Sequence, residues 1–185
     1  VISHQHPDHC SDLLTAFHAW TYRPEPRVGV PLYAPQEVWN RVKAFLDKAI
    51  DSHLEKTFDF RPVWTGDEAN IGALSVSFVE ADHSVPTVAS RWEANNRTLF
   101  FTGDTGPAGE WMDLAQGVNV ILSEAAYQGA TEDKVYPHHL TAGEAGQIAR
   151  DVGAKNLILT HIPPYLDVAR SIHEAEQTFD RPVAL

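Results

Sequence analysis

The stretch Ser3-His4-Gln5-His6-Pro7-Asp8-His9 sets three histidines and one aspartate in the order His-x-His-x-Asp-His. Neutral imidazole and carboxylate are the usual ligands of a zinc-like divalent cation. In an extended turn His4 and His6 point to one side, while Asp8 and His9 swing to another. So short a loop does not readily close all four around one ion. The spacing therefore predicts two adjacent ions, each completed by ligands from distant parts of the chain.

The elements that must supply those ligands are legible from periodicity. Val1-Ile2-Ser3 reads as the end of a buried strand running into the His-rich loop. A helix from Ser11 to about Trp20 follows, with Leu13, Leu14 and Phe17 on one face, and the Arg23–Arg27 stretch with its two prolines ends it. Val28 to Ala34 is expected to be a strand. A helix opened by Pro35 is expected to carry Val38, Val42, Phe45, Leu46 and Ala49 on one face. Phe58 to Trp64 reads as an edge strand. Leu74, Val76 and Phe78 alternate with serines as a half-buried strand does. Asn95-Asn96 marks a hairpin, and Thr98–Thr102 and Val118–Leu122 are compact apolar strands. Thr141 and Glu144 form a Thr-x-x-Glu capping box for a helix stopped at Gly153. Leu157–Thr160 is a buried strand, and an amphipathic helix runs from about Val168 to Thr178. No repeat, low-complexity tract or linker interrupts the chain, which reads as one domain.

One regularity connects these elements to chemistry. His4, His83, Asp104, Glu124 and His161 each fall just past the end of an expected apolar strand. In layered α/β architectures, loops at strand C-terminal ends converge on one edge of the sheet. A single histidine there is usually structural; five metal-capable residues in that position predict a metal site.

In this order and spacing the chain resembles the metallo-β-lactamase-fold hydrolase superfamily. The resemblance is carried by His4-Gln5-His6-Pro7-Asp8-His9, then His83, then Gly103-Asp104-Thr105-Gly106, then His161. It implies an α/β fold of αββα layers, with residues 1–185 forming one domain. That domain would lack the strands that members carry ahead of the His-rich loop, and the last strand at the C-terminal end. It also implies that His4, His6 and His83 hold one metal, that Asp8, His9 and His161 hold the other, and that Asp104 bridges them. Zinc is the expected ion, with manganese or iron as alternatives. Leu122-Ser123-Glu124-Ala125-Ala126-Tyr127 and His139-Leu140-Thr141-Ala142 are similar to the ribonuclease Z-like phosphodiesterase branch. There the histidine of the His-x-Thr-Ala motif pairs with the glutamate and meets the scissile phosphate, which assigns those roles to His139 and Glu124. The similarity is nearest to small actinobacterial-type cyclic nucleotide phosphodiesterases, through His139-Leu140-Thr141-Ala142-Gly143-Glu144-Ala145-Gly146 together with Leu159-Thr160-His161-Ile162-Pro163-Pro164-Tyr165, while the lack of a Gly-rich basic arm after Pro35 speaks against transfer-RNA processing.

The resulting expectation is a dinuclear hydrolase acting on small phosphodiesters such as cyclic nucleotides. A metal-bridging hydroxide would attack phosphorus. His139 would neutralise charge or protonate the leaving oxygen, and Asp8 would orient the nucleophile. Alternatives on the same site are a ribonuclease Z-like endonuclease and a lactone, thioester or sulfate-ester hydrolase; a non-catalytic metal-binding domain or inactive fragment is the alternative outside enzymes.

Composition narrows the partners. The net charge is −11, and the fourteen Lys and Arg form no cluster. Long nucleic acid, whose binding is driven by phosphate neutralisation, is thereby disfavoured. No apolar run approaches the length of a membrane span, and a homodimer is compatible with the family. With no visible leader and one cysteine, Cys10, a cytoplasmic location is expected. Cys10 is read as a small buried residue, His138 as a solvent-facing neighbour, and His18, His53 and His173 as surface residues. Asp12 is read as support for the first loop, the five tryptophans as core or interface, and Asp82 is weighed as the carboxylate that fixes an imidazole tautomer.

Overall fold

The structure is a computed structural model that describes residues 1–185, apart from the side chain of residue 49. Seven strands form the larger sheet in the order β3-β4-β5-β6-β7-β8-β9: β3 (Glu68–Ile71), β4 (Leu74–Glu80), β5 (Val88–Ala94), β6 (Arg97–Phe101), β7 (Val120–Glu124), β8 (Asn156–Thr160) and β9 (Val183–Ala184). Strands β3 to β6 are an antiparallel meander, and β6 to β9 are parallel. The β5–β6 turn uses Asn95 (φ 49°) and Asn96 (φ 58°), the left-handed pair that a two-residue hairpin demands. Two antiparallel steps separate β4 from β6, so β4, β6, β7 and β8 all run the same way. Their C-terminal ends share one edge.

Parallel pairing requires crossovers, and three helices provide them: α5 (Trp111–Leu114), α6 (Ala142–Asp151) and α7 (Val168–Phe179). All three pack on one face of the sheet. Trp111, Ile148, Ala149, Ala175 and Phe179 join Phe100, Ile121, Leu157 and Leu159 in a single core. Each fully buried large side chain there contributes about 1.5–3 kcal/mol. The smaller sheet pairs β1 (Val30–Ala34) with β2 (Phe58–Pro62) in parallel. Its outer face is covered by α2 (Asp12–Thr21), α3 (Gln36–Phe45) and α4 (Asp51–Thr57), through Phe17, Val38, Val42 and Leu54. Its inner face meets the larger sheet, with Tyr33 and Val63 against Val76, Phe78 and Val88. Helices, sheet, sheet and helices form four layers, the expected αββα sandwich.

Several boundaries differ from expectation. Residues 1–3 are extended without being a strand; they lie between the sheets, where Ile2 N–H donates to the Tyr33 carbonyl and Ser3 C=O accepts from Val88 N–H. Helix α3 stops at Phe45 because Leu46 is extended, so Phe45 is 65% exposed while Leu46 packs inward; Ala49 lies outside the described side chains. A one-turn helix, α1 (Pro7–Cys10), forms inside the His-rich loop, with Pro7 at its first position, where a missing N–H costs nothing.

Candidate active site

The shared edge of the larger sheet gathers the chemistry. His83 follows β4, Asp104 follows β6, Glu124 ends β7, His161 follows β8, and His4 enters alongside the start of β5. On one side, His4, His6, His83 and Asp104 each present a ligand atom within 4.8 Å of the others. Nδ1 of His6 lies 3.0 Å from Nε2 of His4 and 3.1 Å from Nε2 of His83. On the other side, Asp8, His9 and His161 converge in the same way. Oδ2 of Asp8 is 3.4 Å from Nε2 of both His9 and His161. Asp104 lies between the groups: Oδ1 is 3.3 Å from Nε2 of His9, and Oδ2 is 3.4 Å from Nε2 of His161 and 3.7 Å from Nε2 of His4.

The donor chemistry fits divalent cations. His6 Nδ1 faces two other ring nitrogens and can share a proton with only one of them, whereas a cation would satisfy all three lone pairs. Burial pushes the fully enclosed His4 down to about 3, helped by neighbouring His9, so its imidazole is neutral at neutral pH. Asp104 is held at about 2, because hydrogen bonding by His9 and the charges of His161, His9 and His4 outweigh the opposing effect of burial. A neutral imidazole and an ionised carboxylate are the states that ligation requires. The protons not needed for ligation are placed behind the rings. Nδ1 of His4 and of His9 face the buried Ser3 hydroxyl at 3.1 and 3.3 Å, and Nδ1 of His83 donates to the His138 carbonyl at 3.1 Å. His161 holds a left-handed backbone, φ 54°, and its buried Nδ1 has no partner among the described residues.

Beside these groups stands a histidine–glutamate pair. Nδ1 of His139 donates to Oε1 of Glu124 at 2.9 Å. Glu124 is buried, and both its oxygens are occupied: Oε1 also accepts from Thr105 N–H (2.7 Å), and Oε2 from Ala126 N–H (3.2 Å) and Leu140 N–H (3.1 Å). Three main-chain donors from two loops therefore lock the carboxylate, and the carboxylate locks the imidazole. Burial disfavours the charged ring, but the Glu124 hydrogen bond and charge overcome it and raise the His139 pKa. With Nδ1 engaged, Nε2 is left free. The ring lies 5.0 Å from that of His83 and 5.6 Å from that of His161, so it borders both ligand groups. Asp104, His139 and His161 themselves form a third convergent set.

All nine residues singled out from the sequence meet at this edge. One neighbour, Asp82, behaves otherwise than expected. Asp82 bonds the ring of His138 (Oδ1 to Nδ1, 3.0 Å) instead of His83, whose tautomer is set by the His138 carbonyl. His138 faces solvent as expected, its side chain 42% exposed, and is the partner of Asp82. Ser3, which serves both ligand groups from behind, carries no signal in spacing; its cue is only its place next to His4. Cys10 is buried, as expected. Among the described residues, no helix is long and apolar enough to cross a membrane.

Comparison with known proteins agrees with this geometry. The beta-lactamase superfamily domain matches residues 1–162. An uncharacterized protein of Mycobacterium tuberculosis is 33% identical over 190 residues, covering 99% of this chain and 68% of the relative. A ribonuclease Z of Methanopyrus kandleri is 26% identical over 215 residues, covering 97% of this chain and 73% of that protein. The crystal structure of the metallo-beta-lactamase fold protein YhfI from Bacillus subtilis superposes with a TM-score of 0.82 at 22% identity, over 98% of this chain and 72% of that one.

Proposed function

The chain belongs to the beta-lactamase superfamily, as a ribonuclease Z-like metal-dependent hydrolase, and from that premise we propose that it is a dinuclear phosphodiesterase of small substrates, with cyclic nucleotides the first choice. The observation that carries the reading is the locked Glu124–His139 pair bordering two ligand groups joined by Asp104. In this reading His4, His6, His83 and Asp104 hold one divalent ion, and Asp104, Asp8, His9 and His161 hold the second. Zinc is favoured by the imidazole-rich set, with manganese or iron as alternatives. Such ions supply Lewis acidity and a water activated at neutral pH.

The chain's own groups do the rest. Glu124 holds His139 in one orientation and favours its charged ring, so that a proton on Nε2 would meet the charge that develops on phosphorus oxygens or on the departing alkoxide. Asp104 stays anionic and keeps the two ligand groups in register. Asp8, 63% exposed, stands at the mouth, where its free oxygen can accept a hydrogen bond from the attacking water. The net charge of −11 supports a compact substrate over a long polyanion.

The test is a turnover panel on the purified, metal-loaded protein: bis(p-nitrophenyl) phosphate, cyclic AMP and a lactone. Hydrolysis of the phosphodiesters without the lactone is expected. Lactone turnover without phosphodiester turnover would overturn the reading.

A further inference from the structure

Lys134 sits in the loop between β7 and α6, and its side chain is 5% exposed. Its ammonium touches three acceptors: the main-chain carbonyl of His139 at 2.9 Å, and Oε1 and Oε2 of Glu144 at 3.1 and 2.9 Å. An ammonium has three protons, so all are used and none remains for a substrate anion. Lys134 is thereby excluded from contact chemistry despite lying five residues from His139.

Glu144 is no ordinary counterion. It is the capping-box residue of α6, with Oε2 accepting from Thr141 N–H at 2.8 Å while Thr141 Oγ1 accepts from Glu144 N–H at 3.0 Å. Oε1 also accepts from the Thr131 hydroxyl at 2.9 Å. Helix α6 is anchored by Ala145, Ile148 and Ala149 in the core. The loop is closed at its base, where Tyr127 N–H donates to the Leu140 carbonyl and Ala142 N–H to the Tyr127 carbonyl, at 3.1 and 2.9 Å. Between base and tip, Lys134 is the side chain that ties the main chain of His139 to the helix.

We propose that Lys134 is a positioning residue for His139: bridging the His139 carbonyl to the capping carboxylate of Glu144, it fixes the main chain from which the imidazole reaches the substrate. The proposal rests on the phosphodiesterase reading of His139. Glu124 holds the ring from one side, Lys134 holds the backbone from the other, and the two together leave Nε2 one position. Losing Lys134 would strand the carbonyl and leave Glu144 without its cation in a largely enclosed place.

A double-mutant cycle decides the matter. Lys134→Met is expected to lower kcat on bis(p-nitrophenyl) phosphate by roughly 10- to 100-fold, the scale on which supporting contacts act, with KM and bound metal unchanged. In a His139→Ala background the same change is expected to lower kcat no further. Glu144→Gln is the second variant, since Gln keeps a capping box; it should lower kcat several-fold in the parent and not at all beside His139→Ala, and it decides alone if Lys134→Met does not fold. Equal losses with and without His139, or a loss confined to metal content, would overturn the proposal while leaving the phosphodiesterase reading intact. A fully active His139→Ala protein would overturn the proposal together with the role of His139, whereas the phosphodiesterase reading falls only if the parent protein turns over no phosphodiester.

Discussion

At the scale of single residues, the site is a balance of charge around Asp104. Its two oxygens face His4, His9 and His161, and on one side the ring nitrogens of His4, His6 and His83 crowd one another at distances that suit a shared cation better than shared protons. Asp104→Ala is therefore expected to abolish both metal binding and turnover, measured by elemental analysis and hydrolysis together. His139→Ala is expected to keep its metal and slow turnover by roughly 10²–10⁴-fold, the range of a lost acid–base group; an undiminished rate would remove His139 from the chemistry. These residues were legible in the sequence because ligand chemistry concentrates in a short motif and at strand ends. Ser3, the Asp82–His138 pair and Lys134 were not. Asp82 and Lys134 act through a partner that is distant in sequence or reached by a backbone atom, Ser3 through two ring nitrogens that the folded loop turns toward its hydroxyl, and no local pattern encodes such contacts.

At the scale of elements, α6 carries much of the site's rigidity. Its N-terminus holds Glu144, and its flank meets α7 at Gly146. A methyl group there would overlap the Ala175 carbonyl oxygen and the Thr178 hydroxyl. Gly146→Ala should force the helices apart and cost about 1–3 kcal/mol, as overpacking does, read as a lower urea midpoint. Unchanged stability would mean that α7 can shift freely. Glu144 also gives a pH dependence. Burial raises its carboxyl, but the Thr141 amide, Lys134 and Thr131 lower it by more, so the net shift is downward. Ionised Glu144 thus favours the folded state; its contribution is whole above the unfolded carboxyl's ordinary pKa and is lost as pH falls through the lower folded value. Glu144→Gln should accordingly lose less stability than the parent between about pH 5 and pH 3. Thermal melts across that range check it, and parallel curves would contradict it. The capping box made α6 readable in advance. Strands β3 and β5 and the short α5 were not read, because four- to seven-residue segments with mixed polarity carry little periodicity. Helix α3 was drawn too long because Leu46 continues the apolar stripe after the backbone has left the helix.

At the scale of the whole molecule, two layers of helix and two of sheet exist to bring four parallel strand ends and the His-rich loop to one edge. The layering was legible from the resemblance and from the order of apolar strands. The register that places β4 in line with β6, β7 and β8 was not, because it depends on the unread β5 between them. Since the ligands come from segments as far apart as His4 and His161, bound ions would tie the entire edge together. Chelation should lower the melting temperature, and added zinc should restore it; a melting temperature indifferent to chelator would separate the fold from the metal. The central claim is that two ions, not one, make this edge a phosphodiesterase. Its most direct test is to titrate zinc or manganese into metal-free protein while following hydrolysis of bis(p-nitrophenyl) phosphate. Activity is expected to level off at two equivalents per chain. Full activity at one equivalent, or no phosphodiester hydrolysis with two ions bound, would contradict it.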